Sequence, residues 1–105
     1  SSKIMMRENY INGELEGPKL VYFHNDKIAE ESFYKNGKLH GSYKKFAHNG
    51  VVLEESNYEN GYKHGVFVIR DGDGKVAIQG QYKLDKSSGI WKYYQNGKFE
   101  KEVNK

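Results

Sequence analysis

The sequence contains no cysteine, one proline and two arginines among its 105 residues. The absence of cysteine excludes disulfides, thiol nucleophiles and cysteine-based zinc sites. Long apolar runs are also absent, since none exceeds "VFVI" at residues 66–69, whereas a membrane-spanning helix needs about 20 apolar residues. We therefore expect one soluble domain over residues 1–105 without a transmembrane segment.

The basic balance of the chain is weak evidence for a nucleic-acid partner. The sequence pI is about 9.0 and the formal net charge is +3, but only Arg7 and Arg70 offer the planar fork that grips phosphate. The lysines are scattered among 14 acidic residues, which favours a solvated mixed-charge surface. No nucleic acid is expected as a partner, and membrane-surface binding should be weak.

What the chain does have is a repeat of 24 residues. One column of the repeat is tyrosine: Tyr10, Tyr34, Tyr58 and Tyr82. A glycine column follows seven residues after each tyrosine: Gly17, Gly41, Gly65 and Gly89. A mostly aromatic column comes two residues later: Lys19, Tyr43, Phe67 and Trp91. An aliphatic column comes six residues before each tyrosine: Ile4, Ile28, Val52 and Val76.

Each unit reads as short strands separated by turns. Asn-Gly at 36–37 and at 49–50 predicts type I′ turns, because both central positions need positive φ. With two strands per unit and no helical periodicity, we predict an all-β fold, an elongated antiparallel meander of about four 24-residue β-hairpin repeats. The predicted units are residues 4–27, 28–51, 52–75 and 76–98, with a C-terminal strand at 98–103.

The motif shared by "YKNGKLHGSY" (34–43) and "YENGYKHGVF" (58–67) resembles the variant MORN repeats of many bacterial proteins. The resemblance covers nearly the whole chain, and the atypical first and last units fit the caps that end repeat arrays. It implies an all-β scaffold without catalysis that binds proteins, and bacterial members are often labelled as antitoxins.

Catalytic, metal and cofactor sites are not expected. His40 and His64 share one repeat position, and His24 and His48 share another. Equivalent positions two strands apart are about 9–10 Å from each other, too far for two ligands of one zinc. "DGDGK" at 71–75 lacks the glycine and glutamate that a calcium loop needs. No nucleophile, base and orienting group can be assembled, which predicts a non-enzyme without cofactors.

The repeat instead predicts a binding surface. The tyrosine and glycine columns are predicted to be structural, and the predicted partner-binding residues are Tyr43, Phe67, Trp91 and Tyr94. The leading hypothesis is a scaffold for a protein partner, with an antitoxin or immunity role as its narrowest form. The alternatives are a cell-surface glycan or choline binder and an acidic-lipid-binding module.

Two further expectations concern association and location. Both edges of a meander are open and could pair with a second copy, which predicts a homo-oligomer through the sheet edges. The chain begins "SSK" without methionine, which fits a cytoplasmic chain that has been trimmed or an exported chain whose signal has been removed.

Overall fold

The computed structural model describes residues 6–105, so Ile4 of the aliphatic column lies outside the described residues. These residues form strands and turns and contain no helix. The strands are β1 Met6–Arg7, β2 Tyr10–Ile11, β3 Glu14–Leu15, β4 Gly17–Tyr22, β5 Ile28–Lys35, β6 Lys38–Leu39, β7 Gly41–Phe46, β8 Val52–Glu59, β9 Tyr62–Lys63, β10 Gly65–Arg70, β11 Val76–Lys83, β12 Lys86–Gln95 and β13 Lys98–Asn104.

The strands form a single antiparallel layer. The main sheet runs in the order β1-β4-β5-β7-β8-β10-β11-β12-β13, with β6 paired to β5 and β9 paired to β8. A separate hairpin is formed by β2 and β3. The described chain measures 45 × 32 × 11 Å, and its shortest dimension is close to the thickness of one sheet with its side chains. The predicted all-β hairpin meander is confirmed.

Type I′ turns close the tips of the hairpins. Asn36 and Gly37 have φ of +52° and +79°, and Asn60 and Gly61 have φ of +50° and +88°. The prediction for 36–37 is therefore confirmed. The prediction for 49–50 is wrong, because only Gly50 has positive φ there. The Gly50 N–H instead donates to the Ala47 carbonyl at 3.0 Å, a type I turn closed by a left-handed glycine.

A glycine after each tip bends the returning strand. Glu31 pairs with Lys44 and Tyr34 pairs with Leu39, so three steps along β5 correspond to five steps along its partner. The two extra residues are His40 and Gly41, and Gly41 has a φ of +103°. The same excess recurs at Gly65, with a φ of +105°. A side chain would strain this conformation, which accounts for the recurrence of glycine.

Neighbouring tips are joined by hydrogen bonds between repeats. The Gly37 N–H donates to the Leu15 carbonyl at 3.0 Å, and the Gly61 N–H donates to the Leu39 carbonyl at 2.8 Å. A second hydrogen bond forms at each junction. In it, the backbone N–H of the first turn residue donates to a side chain of the preceding unit. The acceptors are Glu16 Oε1 for Asn36, His40 Nδ1 for Asn60 and His64 Nδ1 for Leu84, at 2.7, 3.3 and 3.4 Å.

Those contacts give the histidine column a structural role. An imidazole Nδ1 and a carboxylate oxygen both accept a hydrogen bond from a backbone N–H. Glu16 in the first unit therefore accepts the same backbone hydrogen bond as His40 and His64 do in the next two units. The change from histidine to glutamate at this position preserves the junction.

The tip at Leu84 and Asp85 keeps the type I′ geometry without Asn-Gly. Leu84 has a φ of +46° and Asp85 has a φ of +71°, and leucine rarely adopts this region. The Leu84 residue is 55% exposed, so packing of its side chain does not compensate for the strain. The turn is held by its neighbours, since Asp85 Oδ1 accepts from the Lys63 N–H at 2.6 Å.

We expect Leu84→Asn to stabilise the protein by about 1 kcal/mol, because asparagine adopts left-handed conformations at lower cost. The measurement is the free energy of unfolding from urea titration. The matched control is the reverse change at the equivalent position, Asn60→Leu, which should destabilise by a similar amount. Equal urea midpoints for both variants and the parent would show that these turns carry no strain.

Candidate binding surface

One face of the sheet carries a continuous row of aromatic rings. Side chains alternate between faces along a strand, and the register pairs Gly41 with Tyr58 and Gly65 with Tyr82. This places two aromatic columns of the repeat on one side of the sheet. These side chains, called the aromatic face, are Tyr34, Tyr43, Tyr58, Phe67, Tyr82 and Trp91.

The rings of the aromatic face contact one another across strands. The ring centroids of Tyr43 and Tyr58 are 6.2 Å apart, in an edge-to-face arrangement at 81°. The centroid of Tyr82 is 5.3 Å from that of Phe67 and 5.2 Å from that of Trp91, again edge-to-face. Such pairs add about 0.5–1.5 kcal/mol each beyond their buried area. The rings are therefore both a surface and a source of stability.

Trp91 is the most deeply placed ring of the row. It is 4% exposed, and its indole lies directly on Gly80, where a Cβ would overlap the ring. The indole N–H donates to the Ser88 carbonyl at 3.1 Å. Ser32 and Ser56 occupy the positions equivalent to Gly80 and are buried. The largest ring of the column is thus matched to the smallest residue of its neighbour.

The other predicted partner-binding residues lie at different depths and on different faces. Tyr43 and Phe67 are half-buried on the aromatic face. Tyr94 points to the opposite face, where its ring meets Phe99 at 5.8 Å. Trp91 is brought together with Phe67, at a centroid distance of 5.5 Å, but not with Tyr94. Partner binding by these four residues stays a prediction.

The tyrosine column departs from the pattern at both ends. Tyr10 lies on the separate β2–β3 hairpin and is 61% exposed, and its hydroxyl donates to Glu8 Oε2 at 3.1 Å. At the other end, Lys105 takes the position that pairs with the glycine column. Its N–H donates to the Gly89 carbonyl at 2.8 Å. Lys105 thus stands opposite Gly89 in the same way that Tyr82 stands opposite Gly65.

Lysines lie over the rings of the aromatic face. Lys63 Nζ is 5.2 Å from the ring centroid of Phe67 and 5.0 Å from that of Tyr82. Lys19 Nζ is 5.9 Å from the ring of Tyr34. At the C-terminal end, Lys105 Nζ is 4.6 Å from the ring of Trp91. Each cation–π contact at a partly exposed site is worth about 0.5–1 kcal/mol.

Two glutamates also lie on the aromatic face, and they act on the tyrosine hydroxyls. The Tyr43 hydroxyl donates to Glu30 Oε1 at 2.7 Å. Partial burial raises the pKa of Tyr43 well above its usual range, and the hydrogen bond and negative charge of Glu30 raise it further. Burial also raises the pKa of Tyr58, with the negative charge of Glu54 as the next cause. The surroundings of both hydroxyls therefore favour the neutral form.

Charged residues lie on both faces of the sheet. On the strands of the aromatic face and at Lys105, five lysines stand against two glutamates, a net charge of +3, or +2 when Asp85 of the adjacent turn is included. The charged residues of the aromatic face are Lys19, Lys45, Lys63, Lys101, Lys105, Glu30 and Glu54. The opposite side, called the back face, has as many acidic as basic residues in the middle of its strands and carries further lysines, including Lys35 and Lys83, at the strand ends. Its central charged residues are Glu31, Lys44, Glu55, Arg70, Lys92 and Glu102.

Sequence reasoning missed the lysine contacts and the pairing of Trp91 with Gly80. Lys63 follows an Asn-Gly turn and resembles any exposed turn lysine, so nothing local indicates that it lies over two rings. Gly80 did carry a signal, because it departs from Ser32 and Ser56 at the equivalent positions of the two preceding units. A change to glycine opposite the largest aromatic residue indicates contact between them.

A metal centre is not found in the described chain, where no cluster of three or more histidine and acidic side chains is arranged to hold an ion. The carboxylate of Asp71 in "DGDGK" instead accepts from the N–H groups of Asp73 and Lys75, both at 3.0 Å. This is a turn held by an aspartate side chain. Residues 6–105 also contain no helix with the length and apolarity to cross a bilayer.

Comparison with known families matches the chain twice to the family described as "MORN repeat variant", over residues 15–36 and 39–60. The segments 15–36 and 39–60 are therefore variant MORN repeats. Beyond the matched ranges, Gly65 and Gly89 keep positive φ and the 84–85 turn keeps its geometry. MORN repeats commonly form non-enzymatic scaffolds that bind proteins or lipids. A search of curated proteins gave no match.

We expect Gly80→Ser, which restores the serine of the neighbouring MORN repeats, to destabilise the fold by about 1–3 kcal/mol, because the added atoms collide with the Trp91 indole. The measurement is a double-mutant cycle by urea unfolding, in which the penalty should shrink when Trp91 is replaced by phenylalanine. Gly72→Ser is the control, since a Cβ there meets no atom within 4 Å. Equal penalties in both backgrounds would contradict the contact.

We also expect the sheet to lose stability in alkali. A tyrosine whose folded pKa is raised stays neutral in the folded state while the unfolded chain ionises near pH 10. The stability that these tyrosines contribute is therefore fully present below about pH 10 and is lost as the pH rises toward the raised values. Urea midpoints measured between pH 9 and 12 should fall less steeply for Tyr43→Phe than for the parent. The control is Tyr62→Phe, 52% exposed, and equal slopes for all three proteins would refute this expectation.

Proposed function

We propose that the chain is a non-catalytic scaffold that binds a protein partner along its aromatic face. The observation that carries the proposal is the row of half-buried rings with lysines over them, on a layer that no other part of residues 6–105 covers. Aromatic side chains dominate binding energy at protein interfaces when a partner excludes water from them. The row crosses most strands of the sheet, so it fits an extended contact.

The charge of the aromatic face favours an acidic partner. Lys19, Lys63 and Lys105 each hold an ammonium group close to a ring. An aspartate or glutamate of a partner can pair with these ammonium groups while its apolar neighbours cover the rings. Complementary charge of this kind raises the rate of association and fixes the orientation of the partner.

The same contacts weigh against a glycan or choline ligand. Sugars stack on open ring faces and choline needs an empty aromatic cage. Lys63 already lies over Phe67 and Tyr82, and Lys105 lies over Trp91. Trp91 is also 4% exposed. A ligand of this class would first have to displace the lysines of the chain.

Acidic lipids are the weaker alternative for a related reason. Electrostatic adhesion to a membrane grows with the number of free basic groups at the surface and is screened by salt. Glu30 and Glu54 lie among the lysines of the aromatic face. The net charge that remains is small for vesicle binding at physiological salt.

The test compares two double variants that remove the same charge from opposite faces. Lys19→Ala with Lys63→Ala, called the aromatic-face variant, removes two lysines from the aromatic face. Lys35→Ala with Lys83→Ala, called the control, removes two lysines from the strand ends of the back face. Quantitative capture from an extract of the native cell should identify a partner held by the parent and the control. The aromatic-face variant should retain it at least about 10-fold less well, with an unchanged circular dichroism spectrum.

Three results would overturn the proposal. The first is a partner lost by the control and kept by the aromatic-face variant. The second is saturable binding of choline or cell-wall glycan, followed by Trp91 fluorescence, that the aromatic-face variant abolishes. The third is binding to vesicles containing phosphatidylserine that persists above about 150 mM salt, where the Debye length is near 8 Å.

An antitoxin role is the narrowest form of this proposal, and the captured partner decides it. A toxin partner should arrest growth when expressed alone, and co-expression of the parent chain should relieve the arrest. Co-expression of the aromatic-face variant should fail to do so. A partner that is harmless when expressed alone would exclude the antitoxin role and leave the scaffold proposal intact.

A further inference from the structure

Asn-Gly pairs occur five times in the chain, and asparagine in this setting is chemically labile. The pairs begin at Asn12, Asn36, Asn49, Asn60 and Asn96. Glycine has no side chain to hinder its own backbone nitrogen from reaching the side-chain carbonyl of the asparagine before it. All five pairs are exposed to solvent, so access of water does not distinguish one pair from another.

Hydrogen bonds between repeats do distinguish the pairs. The Gly37 N–H donates to the Leu15 carbonyl at 3.0 Å, and the Gly61 N–H donates to the Leu39 carbonyl at 2.8 Å. A backbone N–H that donates within the protein has to break that bond before its nitrogen can act as a nucleophile. The tips at 36–37 and 60–61 are therefore protected by the unit that precedes each of them.

The pair at 49–50 is restrained through its side chain as well. Asn49 Nδ2 donates to the Gly72 carbonyl at 3.1 Å, and Asn49 Oδ1 accepts from the Val51 N–H at 3.1 Å. The Gly50 N–H donates to the Ala47 carbonyl at 3.0 Å. Both groups that would react with each other are thus held by other partners.

The pairs at 12–13 and 96–97 lack these restraints. Within residues 6–105, the N–H groups of Gly13 and Gly97 and the side chains of Asn12 and Asn96 make no hydrogen bond with the protein. The backbone shape is not the cause, because φ is +52° and +80° at 96–97 and +50° and +88° at 60–61. These two type I′ tips differ in hydrogen bonding.

We propose that Asn96 and Asn12 are sites of spontaneous deamidation in the folded protein, and that the other three Asn-Gly pairs are protected. At the first site the Gly97 nitrogen loses its proton to hydroxide and bonds to the side-chain carbonyl carbon of Asn96. The bond to the amide nitrogen breaks, and ammonia leaves after taking up a proton from water. A second water molecule opens the resulting succinimide ring at either carbonyl, giving aspartate or isoaspartate.

Deamidation at Asn96 acts on the last hairpin of the sheet. Asn96 and Gly97 join the paired residues Gln95 and Lys98, and isoaspartate adds one carbon to the backbone of this two-residue turn. Both products also add one negative charge at neutral pH. Strand β13 follows the turn and leads to Lys105, whose Nζ is 4.6 Å from the Trp91 ring. The hairpin that holds this lysine over the ring is therefore the one that changes.

The test is peptide mapping by mass spectrometry after incubation of the folded parent at mildly alkaline pH, with a parallel sample unfolded in urea. The readout is the rate at Asn96 divided by the rate at Asn60. This ratio should be at least about 5-fold larger in the folded protein than in urea, the factor that corresponds to one net hydrogen bond. The ratio of Asn12 to Asn36 should behave in the same way. Equal ratios in the folded and unfolded samples would refute the proposal.

Two variants test protection by the neighbouring unit. His40→Ala removes the acceptor of the Asn60 N–H and should raise the rate at Asn60 at least about 2-fold. The matched control is His64→Ala, which removes the equivalent acceptor at the Leu84 tip, where no Asn-Gly pair stands. The control should leave the rate at Asn60 unchanged, and thermal melts should show that both variants fold.

The aromatic-face variant separates this chemistry from the proposed partner site. It should deamidate at Asn96 at the same rate as the parent, because neither substituted lysine contacts the 96–97 turn. An Asn60 rate that His40→Ala leaves unchanged, or that His64→Ala raises equally, would contradict protection by the preceding unit.

Discussion

The constraint that governs this structure is that one sheet has no interior. Among the described apolar side chains only Val68 and Trp91 are buried, at 7% and 4% exposure. Stability therefore cannot come from a second layer within residues 6–105, and each side chain must be covered by neighbours on its own face. Rings placed edge to face, lysine stems laid over rings and charge pairs across strands provide that cover. The repeat supplies the same neighbours to each unit.

The glycine after each tip makes this arrangement geometrically possible. Two extra residues at 40–41 bend the returning strand, so that the tips form their own row beside the main sheet. The row is joined by backbone hydrogen bonds and by the side chains of Glu16, His40 and His64. The tips thus connect consecutive units independently of the sheet. The register of the tips and the register of the main sheet therefore stabilise each other.

The sequence indicated this fold well because its signals are local. Asn-Gly at 36–37 and the glycine of the His-Gly pairs take backbone conformations that few other residues tolerate. The 24-residue period then gives the order of the strands in the sheet. The connection at 47–51 shows the limit of such signals. Asn49-Gly50 has the sequence typical of a type I′ turn, but in this longer loop only the glycine has a left-handed conformation.

The candidate site was harder to predict because it depends on contacts between repeats. The burial of Trp91 follows from the missing side chain at Gly80, eleven residues earlier. The position of Lys63 over two rings depends on the bend at Gly65. Tyr94 belongs to the back face because of strand alternation, which separates it from Trp91 although the two are three residues apart. The family match did not supply these facts, since the matched ranges end at residue 60.

The hydrogen bonds between tips reach only the adjacent unit. The Gly37 N–H reaches Leu15, the Gly61 N–H reaches Leu39, and the Asp85 N–H reaches Lys63. A chain linked in this way behaves as a one-dimensional array, in which opening one unit costs its own contacts and those with its two neighbours. The end units have one neighbour each and open first, so protection of backbone amides from solvent exchange should rise from both ends toward the middle repeats.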